Sequence, residues 1–234
     1  MKNHAQRGAS VERRTLAAHA ARLMAGDGAL GFAQAKRMAA KQSGLGGPGS
    51  NADLPDNDEI EIELRSYQAL YQGDTQRDYV TELRLTAVDL MQALERAIPG
   101  ARLYLGGGAF KGTAGPNAPL ELLGIATDLK QFEFWLLNLG VPYNVSERSH
   151  ELDQTMRKLP LLSFEWQADA ASDSPDLAVR LALYSPRDTS LAVPRTERAD
   201  VAELLALIAQ NEAPDDDFEA MLNKALGKTQ ACVR

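Results

Sequence analysis

The stretch YLGGGAFKGTAGPNAPLELLGI, Tyr104–Ile125, decides how the chain is read. It leaves an apolar run at Tyr104-Leu105, turns through Gly106, Gly107 and Gly108, carries Lys111-Gly112-Thr113-Ala114, and enters a second apolar run at Leu120. Glycine serves where backbone must turn tightly or approach a ligand closely. Two readings fit such a frame. It is a plain turn between two core strands, or a phosphate-handling turn in which backbone amides and one cation receive the anion.

On the N-terminal side the texture is helical. Residues 11–25 place Leu16, Ala20, Leu23 and Met24 on one face, and GDG (26–28) breaks the pattern. A second short helix spans 30–42 with Phe32, Ala35 and Ala39. Residues 43–56, rich in Gly, Pro and Ser, form the clearest linker and separate residues 1–50 from a domain over 57–234. Asp56 and Glu59 have capping-box spacing and start a third helix through Leu70. Residues 76–98 carry apolar positions three and four apart, from Tyr79 to Ile98, and Pro99-Gly100 ends them.

On the C-terminal side strands dominate. Residues 101–106 and 119–126 read as strands, Thr127 as the cap of a helix over 128–139, and Gly140 as its end. A strand over 141–146 returns from this crossover. Residues 159–168 and 177–185 read as an antiparallel hairpin around the polar loop DAASDSPD. Helices near 197–210 and 218–227 close the chain, with the acids 215–217 at the start of the last one. Phe132, Phe134, Trp135 and Trp166 are expected in the core. The fold class is α/β (α+β): a small mixed sheet of four or five strands with a crossover helix, helices 57–98 packed on it, and a helical N-terminal region.

The 234 residues suffice for a sizeable core, and the net charge of −7 argues against the whole surface meeting nucleic acid or an anionic membrane. The charge is uneven. Residues 1–50 hold eight bases and two acids, and the remainder is strongly acidic. Lys36, Arg37 and Lys41 cluster on the second helix, the one place where nucleic acid is expected as a partner. Cys232 is the single cysteine, which excludes an intrachain disulfide and a cysteine metal cluster. His4, His19 and His150 have no metal-ligand spacing. Residues 1–14 lack the apolar core of a secretory signal, and no apolar run approaches the roughly 20 residues of a membrane span. These features predict a cytoplasmic protein, bacterial in style, with no membrane partner.

The opening stretch resembles the signature of the nucleotidyltransferase superfamily, the polymerase-β-like fold. That signature runs from an apolar strand through Gly-Ser and Gly-Thr-Ala to a Ser-Asp-x-Asp strand. Here Gly107-Gly108 stands for Gly-Ser, Gly112-Thr113-Ala114 for Gly-Thr-Ala, and Ala118-Pro119-Leu120-Glu121 for Ser-Asp-x-Asp, without a gap. The chain is also similar to bacterial nucleotidyltransferase-like proteins at Ala35–Ala40 and at Leu54–Glu61. The resemblance implies phosphate binding by Gly107, Gly108, Lys111, Gly112 and Thr113.

It also implies two Mg2+ ions held by carboxylates. Residues two apart on a strand share a face and grip the same ions. In this sequence the first acid is Pro119, the second is Glu121, and the third, on strand 177–185, falls at Arg180. Glu121 is therefore the lone candidate catalytic acid, and no metal ligand set or cofactor is expected. The reading is a nucleotidyltransferase-like protein, catalytically degenerate, that binds a nucleotide-like ligand or a protein partner. The alternatives are an active transferase that joins Glu121 to acids from elsewhere with Mg2+, and nucleic-acid binding through the basic N-terminal helices.

Overall fold

The computed structural model describes residues 2–44, 54–152, 155–167, 176–188 and 194–211. It divides into two compact units. The helical unit takes Met1–Val80 with Gly112–Pro119, and the sheet unit takes Thr81–Lys111 with Leu120–Arg234. The division between these units falls inside a helix; of the predicted linker, residues 45–53 lie outside the described ones. The expected last helix, the acids 215–217 and most of the loop after residue 167 lie outside them as well.

The helical unit holds α1 (Lys2–Gly26), α2 (Phe32–Gln42), α3 (Asn57–Tyr71) and the start of α4 (Gly73–Ala97). No proline interrupts residues 2–26, so α1 begins well before the predicted residue 11. Its core joins Leu16, Ala17, Ala20 and Ala21 of α1 to Ala35 and Ala39 of α2 and to Ile60 and Leu64 of α3. Alanine at these positions lets helix axes come close. Helix α3 thus packs on α1.

The capping box forms as spaced: Asp56 Oδ1 accepts from the Glu59 amide and Glu59 Oε2 accepts from the Asp56 amide, both at 2.8 Å. Arg13 Nε donates to Glu59 at 2.8 Å and Arg14 Nε to Glu63 at 3.1 Å. Two of the N-terminal bases thus spend their charge on α3. Asp56→Ala is expected to cost about 1 kcal/mol, the worth of an N-cap, because these partly exposed ion pairs add little. Urea unfolding followed by far-UV circular dichroism checks it.

The sheet unit holds β1 (Arg102–Leu105), α5 (Gly107–Lys111), β2 (Leu120–Ile125), α6 (Lys130–Asn138), β3 (Tyr143–Leu152), β4 (Thr155–Trp166), β5 (Leu177–Tyr184) and α7 (Val201–Asn211). The five strands lie in the order β1-β2-β5-β4-β3, with β2 and β5 parallel and every other pair antiparallel. This is the mixed α/β sheet that the sequence predicts, including the β4–β5 hairpin. The strands β2 and β5 read as nearly continuous apolar runs because most of their residues are buried, Glu121 and Arg180 being exposed exceptions. Crossover helix α6 carries the chain past two strands, so β3 forms the far edge. No described helix is long and apolar enough to cross a membrane.

Three local expectations are corrected. Thr127 does not cap α6; Asp128 Oδ1 accepts from the Lys130 amide at 3.0 Å, two residues on, and the helix starts there. Phe134 is 58 % exposed while Phe132 is fully buried, because Phe134 lies roughly 200° round the helix from Phe132. The strands β3 and β4 run to Leu152 and from Thr155, well past the predicted ends. The sequence of this outer hairpin is largely polar, so no apolar alternation marks it. Trp135 and Trp166 stack on one another with ring centroids 5.5 Å apart. Gly140 ends α6 as expected, at φ +68°.

Candidate functional site

One face of the sheet carries the residues that chemistry would need. Residues two apart on a strand share a face, so Glu121 and Leu123 of β2 align with Arg180 and Ala182 of β5 and with Leu161 of β4. An open cleft of about 350 Å³ lies over them, lined also by Gly106, Gly107, Glu147 and Arg148. Its floor is apolar: Tyr104, Leu123, Ile125, Leu159, Ala182 and Tyr184 form one buried cluster.

The end of β1 is held by backbone bonds. Gly106 N–H donates to the Glu121 carbonyl at 2.9 Å, and Leu105 exchanges two hydrogen bonds with Ala199. The chain then turns at Gly107, with φ +62°. A side chain there would also meet Glu121, since an added Cβ lies 2.7 Å from Glu121 Oε2 and 3.1 Å from its Cβ. Gly107 is thus required twice over, by its left-handed backbone and by the carboxylate beside it. The turn closes into the single-turn helix α5, where the sequence shows only an open glycine-rich loop.

Arg84 on α4 holds that short helix. Its Nε donates to the Ala109 carbonyl and its Nη2 to the Phe110 carbonyl, both at 2.9 Å. Arg84 is only 4 % exposed, and burial pulls its pKa below the ordinary guanidinium value. Its sequence signal is an arginine on the buried side of an amphipathic helix, next to Leu83 and one turn before Ala87 and Val88. A buried charge of that kind needs a built set of acceptors.

The predicted phosphate-binding residues belong to both units. Gly107 and Gly108 belong to α5, with Gly107 lining the cleft. Lys111, at the far end of α5, points its ammonium to within 4.0 Å of Glu197 Oε2. Gly112 and Thr113 belong to the helical unit. There the Gln68 amide donates to the Thr113 carbonyl at 3.1 Å, and Gln76 Nε2 donates to the Gly112 and Ala114 carbonyls, both at 3.0 Å. The Gly-Thr-Ala half of the frame is thus a strap bound to glutamines of α3 and α4. In the same unit, Arg37 and Lys41 lie exposed one turn apart on α2, with Lys36 half-buried beside them. The His19 ring lies 3.4 Å from the Ser43 hydroxyl; the His4 and His150 side chains lie outside the described ones.

The donor set of the cleft does not fit a pair of magnesium ions. Glu121 and Arg180 are direct register partners on adjacent parallel strands, about 4.8 Å apart in backbone. A guanidinium in that position repels a dication. Pro119, where a first acid would stand, precedes β2 and offers no side-chain oxygen. Glu147 is the other acid of the cleft, and Lys158 Nζ lies 2.8 Å from it. Among the described residues no group of three His, Cys, Asp or Glu side chains comes together.

What the same face offers instead is cationic and aromatic. The Arg198 guanidinium lies over the Tyr104 ring, 4.5 Å from its centroid. Its Nε and Nη1 are buried and, among the described residues, have no hydrogen-bond partner. Burial raises the pKa of the Tyr184 hydroxyl, while Arg148 and Arg198 act in the opposite direction. No motif marks Arg198 in the sequence; a single bridge between Ala199 and the β1 edge brings it here.

No protein-family model matches the chain, and no curated protein matches it. Solved structures do. The chain is similar to Cid1 poly(U) polymerase at 20% identity over 45% of this chain and 31% of that one, with a TM-score of 0.34. A second Cid1 structure, with MgGTP bound, aligns at 15% identity over 49% of this chain and 34% of that one, with a TM-score of 0.32. A cytoplasmic RNA terminal U-transferase aligns at 15% identity over 49% of this chain and 33% of that one, with a TM-score of 0.31. The chain spans about a third of the length of these structures.

Proposed function

We propose that this chain is a nucleotidyltransferase-like protein that has lost most or all transferase activity and binds a nucleotide-like ligand in the cleft over β2 and β5. The observation that carries the reading is the pairing of Glu121 with Arg180. Two-metal transfer needs clustered carboxylates on these strands. A glutamate beside an arginine instead suits an anion or a hydrogen-bonding ligand that brings no metal. Arg148 and Arg180 line the cleft and offer forked donors that match phosphate oxygens. Its volume of about 350 Å³ is at the small end of ligand sites, enough for part of a nucleotide.

Equilibrium dialysis with ATP, CTP, GTP and UTP tests the proposal. The expected result is weak binding that salt reduces, that EDTA leaves unchanged, and that Arg180→Ala weakens about tenfold, the worth of one charge-assisted hydrogen bond. Binding that EDTA abolishes would overturn the metal-independent reading. A second reading, an active transferase, draws on the presence of Glu147 in the same cleft. Its signature is label transfer from a nucleoside triphosphate to an acceptor in cell extract, lost in both Glu121→Gln and Glu147→Gln.

A further inference from the structure

The sheet ends in an open edge. Strand β3 has β4 on one side and, among the described residues, no strand on the other. It is ten residues long and contains no proline, and residues 144–148 along it are all exposed. Its first four residues, Tyr143–Ser146, carry no charge. Sheet edges are ordinarily kept short, or blunted by proline, bulges or charge, because a row of unpaired N–H and C=O groups is a template for another strand.

Apolar side chains are grouped beside this edge. The Tyr143 hydroxyl lies 3.4 Å from Glu133 Oε2 of α6, which puts Tyr143 on the helix side of the sheet. Val145, two residues on, shares that face and is 55 % exposed. On α6, Leu137 stands one turn beyond Glu133, on the flank that Glu133 presents to the edge strand, and is 58 % exposed. Exposed apolar residues scattered singly need no explanation; grouped beside an open strand, they mark a contact surface.

The strand is complementary to itself. A two-fold axis normal to the sheet through Val145 would pair β3 of two copies antiparallel and keep facing residues on one side of the joined sheet. Val145 then faces Val145, Tyr143 faces Glu147, and Asn144 faces Ser146. Apolar meets apolar, a phenol meets a carboxylate, an amide meets a hydroxyl, and no like charges oppose each other. Both α6 helices lie on the same face, with Leu137 of each turned toward the joint. On the other face, Ser146 is the register partner of Leu161, which lines the cleft, so Asn144 of the second copy would add to the cleft wall. A different protein would have to supply such partners, whereas a second copy already has them.

We propose that the β3 edge is the isologous interface of a homodimer, two copies pairing antiparallel about Val145 with Leu137 beside the joint.

Sedimentation equilibrium of the full chain tests this. The expected result is a mass that rises from one copy towards two with concentration. Val145→Lys and Val145→Glu, at an exposed position, are each expected to weaken dimerisation by more than about tenfold, because the axis sets like charge against like. An equimolar mixture of the two variants is expected to dimerise again, since lysine then faces glutamate. Leu137→Ser is expected to weaken the parent dimer severalfold. A parent chain that stays monomeric at every concentration overturns the proposal and leaves the edge to a strand of another protein. Dimers untouched by Val145→Lys or Leu137→Ser, or a mixture of folded variants that stays monomeric, overturn it as well. The parent chain and Leu137→Ser, on a different element, keep the test decisive whichever way the strand variants fold.

Discussion

Phe132→Ala is expected to remove about 3–5 kcal/mol from the stability of the sheet unit, the usual cost of emptying a fully buried aromatic site. Phe132 has no exposed surface. It sits over the one position of β2 where the sheet has no side chain: a Cβ added at Gly124 would lie 2.9 Å from Phe132 Cζ and 3.2 Å from Leu183 Cδ2. Strand and crossover helix are therefore shaped to each other, glycine below and phenylalanine above. Gly124→Ala tests the same contact from the other side and is expected to cost about 1–3 kcal/mol through overpacking. The two should not add. In the double variant Gly124→Ala with Phe132→Leu, the smaller side chain makes room for the new methyl, and the loss should be less than the sum of the singles. Urea unfolding followed by tryptophan fluorescence reads this unit directly, since both tryptophans of the chain, Trp135 and Trp166, lie in it. Strict additivity would mean that the contact does not govern the packing.

Arg84→Met carries the second large effect, about 2–4 kcal/mol, because two carbonyls lose charge-assisted donors while the apolar stem is kept. Its consequence is also functional. The Ala109 and Phe110 carbonyls are the end of α5, which begins at the Gly107 turn of the cleft. With the clamp gone, the amides of residues 109–111 should exchange with solvent faster, and nucleotide binding in the cleft should weaken more than in a variant of equal stability altered at Phe132. Arg84→Lys is expected to rescue little, since one ammonium does not reproduce a two-pronged fork. Full rescue by lysine would reduce Arg84 to a generic buried cation.

Much of the fold was legible because helix and strand periodicities are local. The apolar rows of 76–98 and 119–126 and the Asp56–Glu59 spacing each lie within about 25 residues of chain, and each formed as written. The likeness of Gly107–Glu121 to a transferase frame also marked one element of the cleft, since Gly107 does lie against Glu121. The outer part of the β3–β4 hairpin is not legible because its sequence is largely polar and carries no apolar alternation. The exposure of Phe134 is not legible in the sequence because composition alone does not say which side of a short helix is covered.

By itself, then, the sequence determined the elements, the mixed sheet and the absence of paired acids at Pro119 and Glu121. Only the tertiary structure decided what those elements bring together. Parallel pairing of β2 with β5 sets Arg180 beside Glu121, across nearly sixty positions of chain. A bridge at Ala199 lays Arg198 over Tyr104. Packing inside the helical unit buries the Gln72 oxygen where no donor among the described residues reaches it. The physical reason is common to all three. Periodicity records which side of an element is covered, whereas a site depends on distances between residues far apart in sequence, and those are set by strand order and packing.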